Sequence, residues 1–261
     1  APDGIAGALA ALAPDAVVNP AAYTAVDAAE TDGDTAFRVN RDGPAALAAA
    51  CAARGIPLIH LSTDYVFDGT GSRPYRTDDP VAPLGVYGAS KEAGERAIRT
   101  ALDDHVILRT AWVYAADGKN FVNTMLRVGA ERDELRVVAD QRGTPTPAGD
   151  IADAIATLLA ARRDGTAVRG TFHYTAGGET TWHGFAEAIF RRAEKHWGRR
   201  PIVHPITTAD YPTPARRPAY SVLDNSALDA ALAGVATVPR RPWETALNAV
   251  LDTRLGPLTE S

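Results

Sequence analysis

The run IPLIHLST, residues 56–63, decides how this chain folds. Gly55 stands before it as the stop of a helix, and the run stays apolar until it reaches Ser62 and Thr63. A segment this short and this apolar reads as a strand. Outward from it, strands and helices alternate. Upstream lie a helical region over 34–54, the short apolar strand AVVN (16–19) and a helix PDGIAGALAAL (2–12) broken by Pro14 and Asp15. Downstream come a helix over 87–102 and a strand HVILRTAWVY (105–114). Apolar strands separated by helices at this spacing predict an α/β fold, with a parallel sheet covered on both faces.

The rest of the chain continues less regularly. A helix is predicted over 120–131, then a strand running into a Pro/Thr-rich turn in ELRVVADQRGTPTP (134–147), and an amphipathic helix DIADAIATLLAARR (150–163) with Asp150 near its start. The strand GTFHYTAG (170–177) and the helix TWHGFAEAIFRRAEKHW (181–197) precede a proline-richer tail from about residue 200. Its most distinctive part is TPARRPAYSVLDNSAL (213–228). Residues 1–115 plus 148–176 are expected to form the sheet domain, and 116–147 plus 177–261 a smaller lobe.

Composition narrows the function. The 261 residues carry a net charge of -5, which argues against a nucleic-acid or anionic-membrane partner. Cys51 is the only cysteine, so an internal disulfide and a cysteine-rich metal centre are excluded, and a reducing, cytoplasmic setting is expected. No apolar run has the length of a membrane span, and the alanine-rich opening lacks the pattern of a signal peptide. The only methionine is Met125, and a segment ahead of Ala1 is expected. The six histidines are scattered without metal-ligand spacing, and none is given a catalytic role.

In a parallel sheet ligands bind at the carboxyl ends of the strands. Those ends carry NPAAYTAVD (19–27), STDYVFDG (62–69) and RTAWVYA (109–115). Beyond the second lies GVYGASKEAGERA (85–97), in which Tyr87 and Lys91 stand one helical turn apart on a shared face. An ammonium beside a phenol would lower its pKa toward neutrality, as suits a proton donor in carbonyl reduction. The spacing alone is also that of an ordinary surface pair. The hydroxyl of Thr63, at a strand end upstream, could hydrogen-bond the same carbonyl oxygen.

Thr63, Tyr87 and Lys91 in this order resemble the catalytic triad of the extended short-chain dehydrogenase/reductase family. The strings AAYTAVDAAE (21–30), STDYVFDG, PLGVYGASKEAGE (83–95), ILRTAWVYA (107–115) and DQRGTPT (140–146) extend the likeness, as does GTFHYTAGGETTWHGFAEAI (170–189). The resemblance implies a Rossmann-type doubly wound sheet with a smaller C-terminal substrate-binding lobe. It implies NADPH or NADH as cofactor and a dTDP-sugar as substrate, with hydride going to C4 of dTDP-4-dehydro-β-L-rhamnose to give dTDP-β-L-rhamnose for cell-surface polysaccharide. Thr63, Tyr87 and Lys91 would be catalytic. Ala22, Tyr23 and Thr24, with Tyr87 and Lys91, would hold the cofactor, while Thr63, Asp64, Trp112 and Arg217 would meet the substrate. Trp112 is equally a core residue by type, and Arg217 equally a solvated one. Pro20 departs from the usual alanine. Dehydrating relatives carry Asp-Glu after the threonine, whereas Asp64 here precedes Tyr65, so elimination is not expected.

The family's glycine fingerprint has no counterpart in these residues, and the reading expects it in the segment ahead of Ala1, together with the first strand. Some relatives are reported with magnesium, but no carboxylate cluster argues for such a site, and no metal ligand is assigned. The reading allows a homodimer. Two alternatives remain at this point: a related sugar-nucleotide reductase or epimerase, and a non-catalytic regulatory subunit of the same fold.

Overall fold

The computed structural model describes residues 2–256. Four strands, Val17–Asn19, Leu58–Thr63, His105–Thr110 and Gly170–His173, lie side by side in that order, and every neighbouring pair is parallel. Side chains alternate across a strand, so neighbouring apolar residues feed opposite faces. Leu58 and Ile107 face one layer, where they meet Leu9, Ala48, Cys51 and Ile98 of three helices. Ile59, Val106 and Leu108 face the other, against Ile151, Ala154 and Leu158 of the helix Ala148–Arg163. Burial on both faces is why the two central strands, Leu58–Thr63 and His105–Thr110, read as apolar runs. Leu228, Leu232 and Val238 of the C-terminal segment also pack on this second face.

A second core lies beside the sheet. Strands Glu134–Val138 and Ile202–Ile206 pair in parallel, with Ile202 opposite Glu134. Helices Phe121–Glu131, Trp182–Trp197 and Trp243–Leu255 close over them, burying Val122, Phe185, Ile189, Phe190, Trp243 and Leu247. Asn120 starts the first of these helices by accepting the Asn123 N–H at 3.0 Å, and Gly198 ends the second in the left-handed region, at φ 67°. No described helix is long and apolar enough to cross a membrane.

Two elements differ from the sequence reading. The strand expected over 105–114 breaks at Trp112, whose φ is 48°, and Val113–Tyr114 then pairs with Thr146–Pro147. The helix expected over 34–54 is three pieces: Gly33–Phe37, a π turn Arg38–Asp42, and Gly43–Ala52. Pro44 accounts for the interruption. A proline inside a helix lacks the N–H that would bond residue i−4, and its ring crowds that carbonyl, here Asn40.

Candidate active site

The strand Leu58–Thr63 ends in a 3-10 turn, Asp64–Val66, that Thr63 caps. The Thr63 hydroxyl accepts the Tyr65 N–H at 3.2 Å and donates to Asp64 Oδ1 at 3.0 Å. Against this corner lies the helix Val86–Ala101, brought close by two glycines. A Cβ on Gly88 would stand 2.2 Å from the Tyr65 carbonyl oxygen, and one on Gly94 would stand 2.0 Å from the Asn40 carbonyl oxygen. No side chain fits at either position, so the helix rides directly on the 3-10 turn at Gly88 and on the π turn Arg38–Asp42 at Gly94. Tyr87 is thereby set beside Thr63 and meets the Tyr65 ring edge-on, with centroids 5.5 Å apart.

The electrostatics of the pair differ from the expectation. Tyr87 is pushed up to about 12, chiefly because its phenol is buried; a hydrogen bond with Thr63 opposes that rise and the Asp64 charge adds to it. Lys91 does not bring it down. The Lys91 ammonium turns inward, donating to the Leu61 carbonyl at 2.7 Å and lying 3.3 Å from His60 Nε2. Burial lowers Lys91 to about 8, against the pull of Glu95. The expected phenolate-favouring pair is therefore corrected: desolvation governs both groups, and Tyr87 keeps its proton at neutral pH.

Beneath Lys91 runs a buried polar network that the sequence did not disclose. Glu95, one turn on, is bound through both oxygens by Arg109, at 2.9 and 2.7 Å. It also accepts from Ser62 at 2.6 Å and Arg99 at 3.0 Å. Burial alone would raise its pKa, but these donors, Arg109 foremost, hold it below the usual value. His60, set aside in the sequence reading, touches Lys91 directly. One signal was available: Tyr87, Lys91 and Glu95 recur every fourth residue, so a carboxylate occupies the face that packs inward.

The loop carrying Ala22, Tyr23 and Thr24 leaves the carboxyl end of the first strand, at the same edge as Thr63. Asn40, fully buried in the π turn, clamps it: Oδ1 accepts the Tyr23 N–H at 2.8 Å, and Nδ2 donates to the Tyr23 carbonyl and to Ser90 Oγ, each at 3.0 Å. Ser90 donates to the Tyr87 carbonyl at 2.7 Å, so the loop is tied to the tyrosine's own turn. Farther along, Glu30 accepts the Val86 N–H at 2.9 Å, at the start of that helix.

Arg217 is not a solvated arginine. Its fork grips Asp27 at 3.0 and 2.7 Å, and it also bonds Thr213. It lines a cavity of about 370 Å³ in the second core, with Phe121, Arg136, Gln141, Trp182 and Tyr211. Trp112 is absent from that lining. Its indole stacks on Trp182 at 3.6 Å between centroids, and a Cβ on Gly143 would strike it at 2.5 Å. Thr63, Asp64, Tyr87 and Lys91 thus form one cluster, with Arg217 linked to it through Tyr65, whose phenol feels both Arg217 and Tyr87. Among the described residues no group of three or more His, Cys, Asp and Glu is arranged to hold a metal ion.

Asp64 Oδ2 and Thr110 Oγ1, at the ends of adjacent strands, are buried with no hydrogen-bond partner. Lys91 donates to the Leu61 carbonyl and has His60 as its one other partner, so a charged lysine keeps at least one N–H unused. Unused donors and acceptors at the carboxyl edge of a parallel sheet fit the nicotinamide and ribose end of a nucleotide cofactor.

A doubly wound parallel sheet with threonine, tyrosine and lysine gathered at its carboxyl edge defines a short-chain dehydrogenase/reductase. The family described as RmlD substrate binding domain matches residues 1–255, and the chain belongs to it. A dTDP-4-dehydrorhamnose reductase of Burkholderia thailandensis is 51% identical over 223 residues, covering 82% of this chain and 75% of that protein. A probable dTDP-4,6-dihydroxy-2-methyloxan-3-one 4-ketoreductase of Streptomyces antibioticus is 44% identical over 247 residues, covering 94% and 80%. Among solved structures, the dTDP-4-dehydrorhamnose reductase of Bacillus anthracis in complex with NADP superposes with a TM-score of 0.88 at 35% identity, covering 97% of this chain and 85% of that one.

Proposed function

We propose that this chain reduces the 4-keto group of dTDP-4-dehydro-β-L-rhamnose to give dTDP-β-L-rhamnose, using NADPH or NADH. The observation that carries the reading is the packing of Gly88 on the Tyr65 carbonyl, which sets Tyr87 beside Thr63 at the carboxyl edge of the sheet. The cofactor, when bound, supplies the hydride. Tyr87 supplies the proton to the sugar oxygen, and a phenol held near 12 carries that proton at physiological pH. Thr63 steadies the same oxygen with its hydroxyl, which shares the turn with Tyr65 N–H and Asp64. Lys91, with Ala22, Tyr23 and Thr24, holds the ribose end of the cofactor. Asp64 and the Trp112–Trp182 stack border the sugar. Arg217 and Arg136 suit a diphosphate, and Phe121, Trp182 and Tyr211 offer aromatic faces for a base. Asp64-Tyr65, in place of two adjacent acids, leaves reduction without elimination.

The test is NADPH oxidation on adding the dTDP-linked 4-keto sugar. Tyr87→Phe is expected to lower kcat by roughly 10²- to 10⁴-fold with the cofactor still bound. Equal turnover by both proteins would remove Tyr87 from its role. Cofactor binding without turnover in the wild type would favour a regulatory subunit.

A further inference from the structure

Asn19, His60 and Lys91 form a row beneath the active-site edge. The Asn19 amide nitrogen lies 3.0 Å from His60 Nδ1, and Lys91 Nζ lies 3.3 Å from Nε2. All three side chains are buried, His60 completely. Burial and the Lys91 charge hold the ring neutral, at about 3, so only one of its nitrogens carries a proton.

That single proton cannot serve both neighbours in every state. A charged Lys91 gives one N–H to the Leu61 carbonyl at 2.7 Å and can give another to Nε2 only if Nε2 is bare. The ring proton is then on Nδ1, and it must meet the oxygen of Asn19. A neutral Lys91 can instead accept from a protonated Nε2. Nδ1 is then bare and accepts from the Asn19 NH2, while the Asn19 oxygen takes the Ala21 N–H at 3.2 Å. The amide orientation in the structure is the second of these. Both arrangements pair the ring with its two neighbours, the first at the cost of the Asn19 contact with the Ala21 N–H, whereas a mixture sets donor against donor.

Few other charges bear on the row. Glu95 acts on both Lys91 and His60, from the lysine's own helix. Arg109, from the adjacent strand, and Arg99 are both bound to that carboxylate. Tyr87 and Asp64 stand at the upper edge, and Val17–Asn19 contributes only the neutral amide.

We propose that His60 is a positioning residue for Lys91, changing tautomer while the Asn19 amide turns over whenever the lysine gains or loses its proton. On loss, the row gives up one proton in all to solvent and the ring, still neutral, carries its own on Nε2 instead of Nδ1. On gain the change reverses. The row thus keeps the Lys91 nitrogen partnered in both of its protonation states. Its importance to turnover rests on the function proposed above; the tautomer change itself does not.

The experiment is nitrogen NMR of the full chain with labelled histidine, followed through pH 8, where Lys91 titrates. His60→Gln assigns the signal. Protonation is expected at Nδ1 on the acid side and at Nε2 on the alkaline side, with no change in Lys91→Met. The same nitrogen protonated throughout, or a change that persists in Lys91→Met, overturns the proposal; the wild-type titration suffices if the variant does not fold. In kcat/KM, His60→Leu removes an acceptor of the ammonium, so the alkaline limb is expected to move down by about one pH unit, with His60→Gln restoring it. An unmoved limb in His60→Leu would equally overturn it. A tautomer change in a protein that reduces no ketone would leave His60 standing and sink the function.

Discussion

Two arginines of this chain grip carboxylates with the same two-pronged geometry, in opposite surroundings. Arg109 holds Glu95 where the side chains are 3% and 0% exposed, and Glu95 takes two further donors from Ser62 and Arg99. Arg217 holds Asp27 where they are 22% and 40% exposed, at the wall of the cavity. The fork supplies direction in both cases; water decides what each pair can do. A buried pair cannot part, because either ion left alone pays the full cost of desolvation. A half-exposed pair parts cheaply, since water and salt replace most of what the partner gave. Arg109–Glu95 is therefore the footing under Tyr87 and Lys91, while Arg217–Asp27 is a latch whose carboxylate can yield to another anion.

The largest way to break this contrast is Arg109→Met. It leaves the Glu95 charge buried with only Ser62 and Arg99, and about 3–5 kcal/mol of stability should be lost in urea unfolding. Adding Glu95→Gln should return part of it. A loss under about 1 kcal/mol would place the pair with the exposed ones.

Asp64 is the intermediate case, as buried as Glu95 but with no guanidinium. Burial raises its carboxyl from 3.8 to about 6. Between those values the folded chain binds more protons than the unfolded one, so stability falls as pH rises through the window and is level above it. Glu95, held below its usual 4.5, has the opposite sign: its contribution is present above that value and lost as pH falls through the folded one. Asp64→Asn should thus match the wild type at about pH 4 and exceed it by up to about 3 kcal/mol at neutral pH, a ceiling set by the two-unit shift. Unfolding curves at the two pH values check this, and parallel curves would mean the carboxylate has partners enough.

How far the sequence foretold these carboxylates follows from what periodicity can carry. Apolar runs placed the strands, and the spacing of Tyr87 and Lys91 placed both on one helix. Spacing fixes Cα positions and says nothing of where a long side chain ends: it sets Lys91 on the face of Tyr87, while the ammonium lies at Leu61 and His60. The supporting network joins residues far apart in the chain: Asn19 to His60, Ser62 to Glu95, Asn40 to Tyr23. Such contacts depend on sheet register, which sets Asn19 opposite His60, and no local pattern announces them. Gly88 and Gly94 were visible as letters; their reason appears only when the Tyr65 and Asn40 carbonyls arrive against them. Pro44 is the exception, a local rule that does mark the break at Asn40.

The smallest effect on stability belongs to the latch. Asp27 is held below its usual pKa mainly by its hydrogen bond with Arg217, yet it is too exposed for that to weigh much in folding. Asp27→Asn keeps the acceptor for the Ala215 N–H, which lies 3.2 Å from Oδ1, and should change stability by less than about 1 kcal/mol. Its consequence should appear in binding. A diphosphate approaching the cavity must compete with Asp27 for the Arg217 fork, and the neutral amide competes weakly. Calorimetric titration with dTDP should show affinity rising roughly 2- to 5-fold in the variant, the equivalent of the surface pair it no longer has to break. The gain should shrink as salt is raised, since salt weakens the competing pair in the wild type first. Unchanged affinity at low salt would mean that Arg217 stays with residue 27 when the nucleotide binds, and the half-exposed pair would then be a tie like the buried one.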